Sequence, residues 1–402
     1  MTSLRMTTAG ESHGPAEVCV LSGLPAGLAL TPEAIDRELV RRQGGYGRGG
    51  RQIIETDRCS LLTGVRHGLT LGTPVTILVE NRDHANWGDR MSPYPLPDGA
   101  ERPAPLTIPR PGHADLTGMS KYGHQDMRNV LERASARETV GRVAGGAVCK
   151  RLLEELGVTI KGRVTAIGGV TVEGRPDLSN PASIDWDEVE RSPVGCDDPL
   201  TSAAMCSAVD EARTAGESLG GVFEVWCWGQ CPGLGGYASP EERLDGRLLG
   251  ALGSIPAIKA AEIGYAFANA ALPGSQVHDP FEVEGEAGSS RIVRTGNNAA
   301  GVEGGITTGM PLVVRAAMKP IPTMTTPLPS VDLGTMTPVA AHYERSDVSA
   351  VPAARVVAEA MVAYVVAGAY LEKFGGDSLA DLKAAVSAYE LQLEKRGLWR
   401  RS

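Results

Sequence analysis

The stretch from Asp126 to Leu156 constrains the fold most. Val130, Ala134, Val140, Val143, Ala147 and Leu152 fall mostly three or four residues apart, the period of a helix that buries one face, and Gly157 marks its stop. Gly141, Gly145 and Gly146 lie inside it. An interior glycine costs a helix about 1 kcal/mol relative to alanine. Three of them are tolerable where a neighbouring backbone comes closer than a side chain would allow. The pattern therefore predicts a central helix packed tightly on its neighbours. Composition agrees: glycine supplies 50 of 402 residues and aromatics only 4 %, so the core must be built from Ala, Val, Leu and Ile at short range.

Short β-branched runs with Gly or Pro near their ends predict strands at Glu17–Leu21, Val75–Val79, Val158–Val172, Gly221–Trp228 and Leu312–Met318, the third broken at Gly168-Gly169. A helix is predicted to start at Thr31-Pro32, with Thr31 as cap and Ile35, Leu39 and Val40 facing inward. Another runs from Pro352 to Phe374, followed by a cap at Asp377-Ser378 and an amphipathic helix through Leu382, Val386, Tyr389 and Leu393. Val356 to Leu371 is the most apolar stretch, but it carries Glu359 and falls short of the ~20 residues of a membrane span. It reads as a buried helix, with no membrane contact. Strands and helices do not alternate strictly, which favours an α+β fold, a layered sandwich, over a doubly wound sheet. Asn81 to Pro111 and Gly174 to Pro199 read as surface excursions from one body, so a single domain over 1–402 is expected.

The net charge of −9 argues against a nucleic-acid partner. The seven cysteines are odd in number and irregularly spaced, which argues against a disulfide framework and for reduced, cytoplasmic thiols. Cys227 and Cys231, in C-W-G-Q-C, have no second Cys/His pair nearby, so no metal is expected. The first ten residues have no apolar signal core, so no export is read.

Chemistry concentrates in six segments. G-E-S-H-G sets His13 beside a glycine, where a ligand can approach closely. R-R-Q-G-G-Y-G-R-G-G-R, from Arg41 to Arg51, joins Gly-rich backbone to guanidinium forks that match phosphate or carboxylate. R-P-G-H-A-D places His113 near Asp115, which could orient the ring. In R-A-S-A-R-E-T, Arg133 and Arg137 lie four apart on one helical face, a spacing that suits a shared anion, while Glu132 and Glu138 offer a surface ion-pair face instead. Asn297 to Gly309 is a Gly-rich loop leading to M-K-P-I-P-T, and R-S-D at Arg345 to Asp347 offers a base beside a cation. Each segment alone also fits an ordinary turn, cap or solvated loop. Together they imply a ligand of high negative charge and proton transfer near neutral pH.

In order and content these motifs, ending with F-G-G-D-S-L at Phe374–Leu379, resemble the chorismate synthase family over essentially the whole chain. The resemblance implies a β-α-β sandwich with central helices between antiparallel sheets. It implies a phosphate lyase of the shikimate pathway, the last common step toward the aromatic amino acids. 5-Enolpyruvylshikimate 3-phosphate loses phosphate and a C6 hydrogen in an anti-1,4-elimination that requires reduced FMN. It also implies a homotetramer, with NADPH as an indirect reductant. Arg42, Arg48, Arg51, Arg110, Arg137 and Arg345 would hold the substrate. His13 would assist departure of phosphate, His113 would keep the flavin in its proper protonation state, and Asp347 would assist removal of the C6 hydrogen through flavin N5. Arg133, Ala134, Ser135, Ala257, Gly304, Lys319, Pro320, Ile321, Pro322, Thr323 and Arg345 match FMN-lining positions. Competing readings are another flavin-dependent lyase, an inactive anion-binding protein and a nucleic-acid binder. Three positions depart from the family pattern: Ala300 for a usual Gly, Thr308 for Asn and Ser349 for a frequent Cys.

Overall fold

The computed structural model describes residues 3–49, 56–286, 290–342 and 347–400; Arg51 and Arg345 lie outside the described residues. Two antiparallel sheets enclose two helices. Arg5–Gly10, Ala16–Ser22, Val75–Glu80 and Cys59–Thr63 form one sheet in that spatial order. Ile258–Ile263, Leu312–Met318, Gly221–Trp228, Thr159–Ile167 and Val170–Thr171 form the other. Thr139–Glu154 packs against the first sheet and Val351–Phe374 against the second, and the two helices pack on each other. This is the α+β sandwich that the sequence implies. The break at Gly168-Gly169 falls between the last two strands of the second sheet, as expected.

The glycines explain why the layers lie so close. An added methyl on Gly146 would sit 2.5 Å from Ala360 Cα on the Val351–Phe374 helix. One on Gly145 would sit 2.8 Å from Cys19 Sγ, and one on Gly141 would sit 2.9 Å from Thr8 Cγ2, both on the first sheet. The helix is thus squeezed from both sides, and alanine at these points would push the layers apart.

Several expectations are corrected. The predicted helix from Asp126 to Leu156 is interrupted: Arg128–Ala134 is followed by a 3-10 turn at Ala136–Glu138 and then by Thr139–Glu154. Ser135 is extended (ψ 148°), and its Oγ accepts a hydrogen bond from Arg137 N, the local alternative that serine offers to a continuous helix. In the Pro32–Gln43 helix, Val40 is exposed, because the buried row Ile35, Leu39 and Arg42 places the arginine inward instead. The segment from Gly174 to Pro199 is more than a surface excursion. Leu178, Ile184 and Val189 pack with Trp226 and Val313 on the outer face of the second sheet.

The Val351–Phe374 helix is long and apolar enough to cross a membrane, yet 94 % of its apolar window is buried inside the protein. Its Glu359 is fully buried and satisfied by Arg41 Nη1 at 2.7 Å, Lys150 Nζ at 2.6 Å and Gly162 N at 3.0 Å. All seven cysteines are free, and among the described residues no group of His, Cys, Asp and Glu could hold a metal ion.

Candidate functional site

Three chain breaks and turns converge on one cavity of about 460 Å³, within the size range of small-molecule sites. The break at Ser135 turns Ala134, Ser135 and Ala136 toward it. The end of the Pro32–Gln43 helix supplies Arg42, and the glycine loop after it supplies Arg48. That loop is fixed on the segment before the buried helix: Gly47 O accepts from Val348 N at 2.8 Å, and Gly49 N donates to Asp347 Oδ1 at 2.6 Å. Gly47 has φ +89°, and a methyl there would lie 3.2 Å from Ser349 N, so only glycine permits this closure.

His13, His113, Asp347, Arg42, Arg48, Arg110 and Arg137 all line this cavity. Ala134, Ser135, Ala257, Lys319, Ile321, Pro322 and Thr323 line it too. Three expected residues do not. Arg133 turns back to the first sheet, donating to Thr8 O at 3.0 Å and Gly10 O at 3.1 Å, because the break at Ser135 removes it from the face of Arg137. Gly304 is exposed in the turn between the Val302–Glu303 and Ile306–Thr307 strands, and Pro320 points to solvent beside Lys319.

The arginines converge, but each is held by a carboxylate. Asp57, fully buried, accepts from Arg42 Nη2 at 2.7 Å on one oxygen and from Arg137 Nη1 at 2.6 Å on the other. Burial raises the Asp57 pKa, but the two guanidinium groups outweigh it and hold the carboxyl below the usual range. Burial, aided by the charges of Arg137 and Arg48 against the attraction of Asp57, pulls Arg42 down to about 10, so it stays charged at neutral pH. Arg48 Nη1 pairs with Asp347 Oδ2 at 2.8 Å. Among the described residues, the Nε atoms of Arg42 and Arg48 are buried without a hydrogen-bond partner. Two unmet donors in one cavity are what an anionic ligand would satisfy.

Each imidazole has a buried carboxylate behind Nδ1. For His113 it is Asp115, as the motif suggested: Nδ1 lies 2.5 Å from Asp115 Oδ1, and Arg110 binds the same carboxylate through Nε at 2.8 Å and Nη2 at 3.1 Å. Burial pushes the Asp115 carboxyl up, and the bonds from His113 and Arg110 overturn that and keep it well below the usual range. For His13 it is Glu132, whose Oε2 lies 2.8 Å from Nδ1. The alternative reading of this motif put Glu132 on a surface ion-pair face; it is buried behind His13. Glu138, the other half of that expected face, is also buried and pairs with Arg142 at 3.0 Å. Asp57, Glu132 and Asn81, which accepts from Arg137 Nε at 2.8 Å, are functional neighbours that motif reading missed. None is a chain neighbour of the residue it serves.

These motifs, brought to one cavity in this sandwich, are set beside known proteins. A family model for chorismate synthase matches residues 4–371. The chain belongs to the chorismate synthase family. It is 54 % identical over 379 residues to the chorismate synthase of Desulforudis audaxviator (strain MP104C), covering 94 % of this chain and 95 % of that one. It is 53 % identical over 392 residues to that of Rubrobacter xylanophilus (strain DSM 9941 / JCM 11954 / NBRC 16129 / PRD-1), covering 98 % and 97 %. A chorismate synthase crystal structure superposes with a TM-score of 0.78 at 40 % identity, over 98 % of this chain and 99 % of that one.

Against the family pattern, the three departures prove to lie outside the cavity lining. Ala300 is buried at φ +50° in the small outer core, a backbone conformation that a glycine would adopt without strain. Thr308 accepts from Met310 N at 3.2 Å within its own turn, and Ser349 is buried beside Gly47.

Proposed function

We propose that this chain is a phosphate lyase that converts 5-enolpyruvylshikimate 3-phosphate to chorismate and phosphate by anti-1,4-elimination with reduced FMN. The observation that carries this reading is the meeting of Arg42, Arg48, Arg110 and Arg137 with His13 and His113 in one cavity. The substrate carries two carboxylates and a phosphate, about −4 in all, and guanidinium forks answer both groups bidentately.

The cavity fits a planar, phosphorylated cofactor. Ala134, Ala257, Ala350, Ala353 and Ala354 give part of its wall small apolar side chains, against which a ring system can lie flat, and Lys319 adds a cation. Ala134, Ser135, Ala257, Lys319, Ile321, Pro322 and Thr323 would hold FMN, with Arg345 added from outside the described residues. When bound, reduced FMN supplies an electron transiently and regains it, so no net oxidation results.

The remaining chemistry belongs to side chains. Arg42, Arg48, Arg110 and Arg137, with Arg51 and Arg345, bind and orient the two carboxylates and the phosphate. His13 donates a proton or hydrogen bond to the departing phosphate. His113, kept in place by Asp115, holds a proton on the cofactor side. Asp347 assists departure of the C6 proton once Arg48 engages the substrate. The protein acts as one domain and as a cytoplasmic homotetramer, and NADPH serves only as the source of reduced flavin. An anaerobic assay with reduced FMN and this substrate tests the proposal. Stoichiometric release of phosphate and chorismate is expected; no turnover under those conditions refutes it.

A further inference from the structure

His13 is held more firmly than an exposed turn histidine needs to be. Glu132 Oε2 accepts from His13 N at 2.9 Å and lies 2.8 Å from Nδ1, while Oε1 lies 3.1 Å from the same nitrogen. Ser12 N donates to Glu132 O at 3.0 Å, so backbone and side chain of one residue clamp the G-E-S-H-G turn. The Glu132 side chain is 3 % exposed, and Arg128 Nη1 pairs with its Oε1 at 3.1 Å. On one face the imidazole stacks on Trp87, with ring centres 4.0 Å apart, and Arg128 and Arg90 lie over the same indole at 5.0 and 5.6 Å. His84 Nδ1 meets His13 O at 2.9 Å. These groups come from two segments distant in sequence from the His13 turn, so ring position and rotation are both fixed.

We propose that Glu132 is the positioning residue for His13. Its buried carboxylate holds the ring with a proton on Nδ1 and leaves Nε2 as the atom that exchanges a proton in the cavity. The inference rests on the elimination reading above. A carboxylate can only accept, so Nδ1 must donate to it. The ionised form of Glu132 is the stable one: burial raises its pKa, but the hydrogen bonds from His13 and the charge of Arg128 bring it below the usual range. In the step served, the C3–O bond breaks and its electron pair leaves on the phosphate oxygen. The Nε2 proton of the imidazolium passes to that oxygen. The ring returns to its neutral form with its remaining proton on Nδ1, still bonded to Glu132. Glu132 does not touch the substrate; it acts through His13.

The test is a double-mutant cycle on the complete enzyme with reduced FMN, comparing Glu132→Gln and Glu132→Ala in the native and His13→Ala backgrounds. Proton transfer of this kind contributes ~10²–10⁴-fold, so Glu132→Ala is expected to lower kcat about 10²-fold with little change in KM. Glu132→Gln, which retains one acceptor, is expected to lower it about 10-fold. In the His13→Ala background neither substitution should lower kcat further. An equal loss in both backgrounds, or native kcat in Glu132→Gln, overturns the assignment. Nitrogen-15 spectra of the wild-type histidine rings, with His13 assigned by its disappearance in His13→Gln, give a readout independent of turnover and of whether the Glu132 variants fold. The neutral ring should carry its proton on Nδ1, and a proton on Nε2 overturns the proposal. Absence of chorismate from the wild-type enzyme would instead sink the proposed reaction and leave the tautomer result standing.

Discussion

Replacing Asp57 by asparagine tests the idea that the arginines of this cavity are assembled around buried carboxylates. Asp57 is fully buried, and Arg42 and Arg137 are 4 % and 7 % exposed. Its two oxygens each take one guanidinium, at 2.7 and 2.6 Å. Asparagine keeps the shape but leaves two buried cations with no charge between them. Removing one partner of a buried pair costs about 3–5 kcal/mol. The amide oxygen can still accept from one arginine, which restores about 1 kcal/mol. The expected net loss is about 2–4 kcal/mol, or roughly 30- to 1000-fold in the unfolding constant. Urea unfolding followed by circular dichroism measures it as a lower midpoint at unchanged slope. Added inorganic phosphate should stabilise Asp57→Asn more than the wild type, because an anion can take the place of the missing carboxylate. The pH dependence has a definite sign. The folded Asp57 carboxyl titrates below its unfolded value, so its contribution is complete above about pH 4 and is lost as pH falls through the folded value. Asp57→Asn should lack this part of the acid limb. An unchanged urea midpoint at pH 7 would refute the reasoning.

Three further outcomes follow from the same geometry. Gly146→Ala should destabilise the fold by about 1–3 kcal/mol or more, since the new methyl meets Ala360 backbone at 2.5 Å; a wild-type unfolding midpoint would contradict the close approach of the two helices. Arg48→Ala should raise the KM for substrate, each lost charge-assisted contact being worth roughly 1.5–3 kcal/mol, and steady-state kinetics showing native KM would remove Arg48 from the substrate site. Asp115→Asn should slow turnover while reduced FMN remains bound, and it should weaken the fall in stability below about pH 4, because the folded Asp115 titrates well below its unfolded value; flavin fluorescence titration and acid unfolding check the two arms.

What the sequence disclosed depended on whether the signal was local. Gly221–Trp228 and Leu312–Met318 were legible to the residue, because β-branched runs ending near Gly or Pro carry their own boundaries. The cap at Asp377-Ser378 was legible too, and Ser378 is the residue that caps the last helix. The break at Ser135 was not: the apolar period continues across it, and one side-chain hydrogen bond decides the matter. The cationic half of the site was also legible, since the glycine-adjacent arginine and histidine segments, taken together, imply one ligand of high negative charge. On the acidic side Asp57 and Glu132 were hidden. Asp57 lies 15 residues from Arg42 and 80 from Arg137, and Glu132 lies 119 from His13. Only the fold makes them neighbours. Asp115, two residues from His113, was the one acidic partner close enough in sequence to be read.

The acidic side changes the electrostatic argument. Counting arginines suggests a strongly positive cavity. Yet of the cations that line it, Arg42, Arg48, Arg110, Arg137 and Lys319, all four arginines are already paired, with Asp347 in the wall and with Asp57 and Asp115 behind it, and Glu132, behind His13, has Arg128 beside it. The carboxylates are not equivalent. The Asp57 and Asp115 side chains are fully buried, whereas Asp347 is 18 % exposed and Arg48 10 %. Desolvation fixes the buried pairs, because neither partner can recover water if they separate. The Arg48–Asp347 pair can open to the cavity at far lower cost. On the proposed reading, an incoming anion that takes the Arg48 guanidinium gains a cation and also releases the Asp347 carboxylate for the opposite end of the elimination. Substrate binding and exposure of the proposed base would then be one event, a coupling that a cavity lined with unpaired arginines would not possess.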